Sequence, residues 1–168
     1  MRYFMEIKLN TNKSKMVVIM MNPSRANMIS SDETVNAAIE YASRKGFGSL
    51  LVLNSIPVYE LESQTITHDF LVHYTEECRV NLCIIKEIVD GIEEAQRESY
   101  ELVLATGNPL KSRISIEAIT QIHRLLKGKN VTCFKKNGKH LSILGYTFHP
   151  SRPLFKRDNE TTWLVECL

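Results

Sequence analysis

Four short stretches carry side chains able to do chemistry, and three of them directly follow an apolar run. The first is Asn22-Pro23-Ser24, after the run at 16–21. Proline fixes its own φ and pushes the preceding residue into an extended conformation. The Asn22 carboxamide is thereby held just past the run, with a donor and an acceptor to offer. The second is Asn54, after Leu50-Leu51-Val52-Leu53. A carboxamide can pair with a nucleobase edge through one donor and one acceptor together. The third is Gly107-Asn108, after the run at 101–106. The fourth, His149-Pro150-Ser151-Arg152-Pro153, sets an imidazole, a hydroxyl and a guanidinium within four residues stiffened by two prolines, and Leu154, Phe155, Lys156 and Arg157 follow. A stiff, basic, histidine-bearing loop suits a phosphodiester and can stabilise developing negative charge. Taken singly, each stretch is also ordinary turn chemistry.

The charge distribution points the same way. The net charge is only +2, yet residues 108–157 hold eleven Lys and Arg against one acid, Glu117. Residues 1–107 hold ten against fifteen, and residues 158–168 hold three acids and no base. Clustered cations neutralise phosphates and release counterions, which implies a polyanionic partner. The plainer alternative is that folding interleaves the basic segment with acidic helices.

Several chemistries lack their signature. No phosphate-binding P-loop, dinucleotide G-x-G-x-x-G, zinc H-E-x-x-H or nucleophile-elbow G-x-S-x-G is present. Cys78, Cys83, Cys133 and Cys167 form no C-x-x-C pair, so they read as small buried hydrophobes in a reducing compartment. His140 and His149 lack the companions of a metal site. No apolar stretch approaches the roughly 20 residues that span a bilayer. The expectation is a cytoplasmic protein without membrane, metal or organic cofactor.

These residues need elements to position them. The apolar run at 16–21 and the core of 49–56 read as buried strands, as do 101–106 and 131–134. Residues 3–9 alternate like an edge strand, and a last strand falls near 163–167. Helices are expected from Glu33 to Gly46, over 76–97 with Val80, Cys83, Ile84, Ile88 and Ile92 inward, and over 114–127 with Ile116, Ile119, Ile122 and Leu126 inward. Strands alternating with helices predict one α/β domain over 1–168, a three-layer α/β/α sandwich with a mostly parallel central sheet. In such sheets functional groups gather past the carboxyl ends of strands, where Asn22, Asn54 and Gly107-Asn108 fall.

Two resemblances follow from these motifs. Val17-Val18-Ile19-Met20-Met21-Asn22-Pro23-Ser24, Asp32-Glu33-Thr34, Leu53-Asn54, Ala105-Thr106-Gly107 and the final Gly145-x-x-x-His149-Pro150 resemble domain-of-unknown-function family 1643, over nearly the whole chain. More distantly, the same motifs in the same order are similar to the uracil-DNA glycosylase superfamily. Asn22-Pro23 looks like the Asn-Pro loop of its mismatch-specific branch, Asn54 like the base-reading asparagine, and His149-Pro150-Ser151 like its last loop.

That second resemblance implies a glycosylase-like sandwich and a DNA glycosylase. Glycosylases must take the base out of the stack. Asn22 would orient the attacking water, Asn54 would pair with the flipped base, and His149 would stabilise the departing base. The Pro23-Ser24 and Pro150-Ser151 loops would pinch the backbone, with Arg152, Lys156 and Arg157. Leu154 or Phe155 would fill the vacated stack. Ser24 stands where strict uracil enzymes carry a tyrosine that blocks the base's 5-position, which implies a pyrimidine enlarged there and a phage or anti-phage setting. No aromatic lies within 25–40, leaving Tyr41, Phe47 or Tyr59 to stack on the base. The partner is DNA, double- or single-stranded, bound by a monomer. The alternatives are a non-catalytic nucleic-acid-binding module and an enzyme of free nucleosides or nucleotides.

Reversing the charges of Arg152, Lys156 and Arg157 together is expected to weaken DNA binding to all sequences alike, because phosphate contacts carry no base information. Titrations against unrelated duplexes check this, and unchanged affinity removes the loop from the clamp.

Overall fold

The computed structural model describes residues 1–23, 33–59, 66–94, 99–149 and 160–165. One six-stranded sheet organises them, in the order β1-β3-β2-β4-β5-β6. Its strands are β1 (Phe4–Lys8), β2 (Lys15–Met20), β3 (Ser49–Asn54), β4 (Tyr100–Leu104), β5 (Asn130–Phe134) and β6 (Glu160–Leu164). Between them run α1 (Glu33–Arg44), α2 (His68–Val72), α3 (Thr75–Glu94) and α4 (Arg113–Leu125).

The expected mostly parallel, glycosylase-like sandwich is corrected here: the sheet is mixed. β2 runs parallel to β3 and β4, and β4 runs parallel to β5. Both edges are antiparallel, β1 against β3 and β6 against β5. For β1 the reason is the length of its link to β2. A parallel crossover needs about a dozen residues or more, and the short link 9–14 reverses the chain within that limit. It is braced by Asn10, whose Nδ2 donates to the Phe47 carbonyl at 2.9 Å.

The interior strands are apolar on both faces because both faces are covered. Met16, Val18, Met20, Leu50, Val52, Val103 and Phe134 pack with Ala38, Tyr41 and Ala42 of α1. Val17, Ile19, Leu51, Leu53, Leu102 and Leu104 pack with Ile85 and Val89 of α3 and Ile122 of α4. Each fully buried Val, Leu or Ile contributes about 1.5–3 kcal/mol of transfer free energy, so this double-sided cluster dominates the stability.

Two helix faces differ from the pattern read in the sequence. In α3 the inward residues are Cys78, Asn81, Ile85 and Val89, while Val80 and Cys83 point outward. A buried asparagine in the middle of the face is what displaced the reading. In α4 Ile119 and Ile122 are inward with His123, and Ile116 is exposed. The short helix α2, capped by the Thr67 side chain on the Phe70 N–H, had no apolar run to announce it. Burial pushes the thiols of Cys78 and Cys133 up to about 11, which keeps them protonated. Among the described residues no helix is long and apolar enough to cross a membrane.

His123 is buried with both ring nitrogens unpartnered among the described residues, between the rings of Tyr146 and Trp163. Desolvation lowers its pKa from 6.5 to about 4. Below pH 6.5 the unfolded chain takes up a proton that the folded chain refuses. Stability therefore falls as pH drops from 6.5 to about 4, by on the order of 3 kcal/mol, and levels off beneath. His123→Phe should abolish this stretch of the pH dependence and raise stability at neutral pH, since an unpaired buried polar ring is replaced. Urea unfolding midpoints at several pH values decide it, and an equal decline in the variant would place the proton elsewhere.

Candidate functional site at the carboxyl edge of the sheet

β3, β2 and β4 are adjacent and parallel, so their carboxyl ends share one edge of the sheet. After β2 the chain leaves for α1 on one face, and after β4 it leaves for α4 on the other. Loops that part in this way open a crevice between the two strands, the place where α/β sheets bind ligands. Asn22 stands just past β2, Asn54 ends β3, and Gly107 follows β4.

The rim is tightly bonded. Met21 is gripped from β3's side, its carbonyl accepting from the Ile56 N–H at 2.8 Å and the Ser55 hydroxyl at 2.9 Å. Asn22 is half-buried, and its Nδ2 lies 3.4 Å from the Pro23 carbonyl oxygen. Pro23 is buried beside it.

Asn54 is only 1% exposed, and its Oδ1 has no hydrogen-bond partner among the described residues. A buried amide oxygen without a donor costs about 1–3 kcal/mol, so this acceptor is held at a cost. It is fixed by a residue that sequence reasoning missed. Asn81 of α3, 0% exposed, donates from Nδ2 to the Asn54 carbonyl at 2.7 Å and to the Ser55 carbonyl at 3.3 Å. The side chain of Asn81 thus pins the end of β3 to α3. A polar residue on a helix reads as solvent-facing, and only its place in the stripe Cys78-Asn81-Ile85 could have revealed it.

His149 arrives from the last described loop and lies on Gly107. A Cβ built on Gly107 would sit 3.0 Å from the His149 Cβ, and the Gly107 φ of +71° is left-handed. Glycine is required there on both counts. Below this contact the Thr106 and Thr147 hydroxyls lie 3.3 Å apart in a buried setting.

The aromatic candidates divide clearly. Tyr41 and Phe47 are core residues, Tyr41 packing edge-on against Phe134, so neither can stack on a ligand. Tyr59, 39% exposed, remains. Ser24, Ser151, Arg152, Leu154, Phe155, Lys156 and Arg157 lie outside the described residues. Two grooves sit away from this rim. One of about 570 Å³ lies along α3 and is lined by Phe4, Lys15, Leu51, Ile88 and Tyr100. The other, about 600 Å³, lies between α3 and α4 over Cys78, Leu82, Ile114 and Ala118. Both are mainly apolar and lack the carboxamide pair and imidazole of the rim.

Residues 2–151 match the model of a family described as a protein of unknown function, DUF1643. The chain belongs to DUF1643. No curated protein and no solved structure matches it. The likeness to uracil-DNA glycosylases therefore rests on the loop motifs alone.

Gly107→Ala in this DUF1643 chain should cost about 1–2 kcal/mol from the left-handed backbone and also displace His149. Denaturant unfolding measures the first effect and the His149 ring resonances the second. Unchanged resonances would show that Gly107 does not seat the imidazole.

Proposed function

We propose that the protein is a DNA glycosylase that flips out a pyrimidine enlarged at its 5-position and hydrolyses its N-glycosidic bond, leaving an abasic site. The observation that supports this reading is the placement of Asn22, Asn54 and the Gly107–His149 contact at the carboxyl ends of three adjacent parallel strands. The reading stands on that rim and on the order of its motifs.

Asn54 presents an unsatisfied amide oxygen that a base N–H can satisfy. At 1% exposure it meets a base only after a local opening, so a conformational step precedes chemistry. Asn22 orients water toward the sugar carbon, and His149 takes the negative charge that develops on the departing base. Ser24 leaves room beside the 5-position, Tyr59 offers a stacking face, and the basic loop with Ser151, Arg152, Lys156 and Arg157 holds the backbone. The chemistry needs no metal, and the setting is cytoplasmic, with reduced cysteines. A carboxamide takes up no proton, and the Asn22 amide therefore also favours a second reading, a nucleic-acid-binding module without cleavage.

The test offers DNAs carrying uracil, mismatches and 5-substituted pyrimidines and detects abasic sites. Base release is expected from the 5-substituted pyrimidines. Asn54→Ala should lower it about 10–100-fold, the worth of one good bidentate contact. Asn22→Ala should lower it on all substrates, and Ser24→Tyr should shift preference toward uracil. Efficient cleavage of uracil with neglect of every 5-substituted base would overturn the substrate. Salt-dependent binding with no base release would favour the second reading.

A further inference from the structure

Just after β5 the chain makes two successive turns that neither the core nor the rim chemistry uses. The first is closed by Lys136 and Lys139, bridged in antiparallel fashion, with positive φ at Asn137 (53°) and Gly138 (76°). Consecutive positive φ values of this kind make a tight turn whose twist suits a hairpin. Lys135, Lys136 and Lys139 are exposed, and none makes an ion pair among the described residues.

The second turn spans 141–147 and is closed by the bridge of Leu141 with Thr147. Its tip exposes Ile143 completely and Leu144 to 61%. Isolated exposed apolar side chains are common. Here two are adjacent, and the turn bearing them is closed by its own hydrogen bonds. Within it the Ser142 N–H donates to the Tyr146 carbonyl at 2.8 Å, and the Gly145 N–H to the Ser142 carbonyl at 2.9 Å. Its base is tied to the crevice. The Ser142 hydroxyl donates to Asn108 Oδ1 at 2.7 Å, Thr147 meets Thr106, and Tyr146 packs edge-on against His123. Asn108 directly follows Gly107, so the apolar tip is tied to the end of β4, and the lysine turn follows directly on β5, which runs parallel to β4. The ordering cost of that tip is already met by the fold, which favours binding.

We propose that these two turns form a duplex-DNA contact surface. Lys135, Lys136 and Lys139 hold the phosphates, and Ile143 and Leu144 wedge between stacked bases. The proposal rests on the nucleic-acid reading of the rim but not on base cleavage. Apolar wedges part base steps in many bound duplexes, and three lysines on one turn supply phosphate neutralisation. A lipid surface could also accept an apolar tip next to a lysine-bearing turn. The anchorage to Asn108 at the crevice favours DNA.

The test uses an undamaged short duplex and a single strand of the same sequence, each with 2-aminopurine, whose fluorescence rises on unstacking. The wild-type protein should raise the signal of the duplex. Ile143→Ser with Leu144→Ser should abolish that rise and weaken duplex binding severalfold, while binding the single strand as the parent does. Lys135→Glu, Lys136→Glu and Lys139→Glu together should weaken binding to both and lower the salt slope by about 3. These side chains are exposed, so the parent's unfolding midpoint should be retained, and that is measured alongside. A duplex signal unchanged in the serine variant overturns the wedge. So does loss of binding confined to vesicles of phosphatidylserine and phosphatidylcholine. No step reads base release, so a protein that never makes abasic sites can still pass, and one that makes them while its serine variant still unstacks the duplex fails here alone.

Discussion

Everything at the site depends on β2 being committed on all four sides. Its backbone is hydrogen-bonded to β3 on one edge and β4 on the other. Its side chains alternate between the α1 core and the α3–α4 core. A strand so placed cannot slip, because a shift of one residue would exchange its two buried faces and a shift of two would break the register on both edges. The position of Asn22 past its end follows from that fixity. The divergence of the chain toward opposite faces after β2 and after β4 sets the switch point of the sheet there rather than elsewhere along the edge. Any ligand chemistry at the rim inherits its precision from this strand.

The rim departs from the rest of the core in what it leaves unsatisfied. The interior strands bury apolar side chains almost without exception, whereas the end of β3 buries Asn54, Ser55 and the Asn81 that clasps them. Asn81 spends its amide N–H groups on two carbonyls, and its Oδ1 is unpartnered among the described residues, as is that of Asn54. Apolar residues of similar volume would pack there without that cost. Two acceptors left without a donor at the end of β3 are a local conflict with folding of the kind expected where a protein holds polar groups for a ligand.

The strands were legible because their apolar runs have no other reading at that length. The runs ending at Met21 and Leu53 were bound to be interior, and the polar residues after them to lie at an edge. What stayed hidden has physical reasons. Strand direction at the edges is not written in composition, and only the short link 9–14 carried the information that β1 must reverse. Asn81 looked like solvent-facing surface because periodicity arguments count apolar residues, and they also assigned Val80 and Cys83 inward in its stead. Tyr41 and Phe47 passed as candidate stacking rings because an aromatic's type does not tell a core from a rim. The turn 141–147 gave no sign at all, since Ile143 and Leu144 in sequence resemble any buried pair.

That turn bears on how the rim is held. Thr147 and His149 are two residues apart, and the first meets Thr106 while the second covers Gly107. The loop carrying the imidazole is therefore laid along the end of β4 residue against residue, with Tyr146 fastened to α4 through His123. His123 is an expensive residue to bury, with no partner for either nitrogen among the described residues. Its ring supplies an aromatic edge contact to Tyr146 and another to Trp163 of β6. Through it the far edge of the sheet, α4 and the histidine loop are joined, so the placement of His149 depends on packing well away from the crevice.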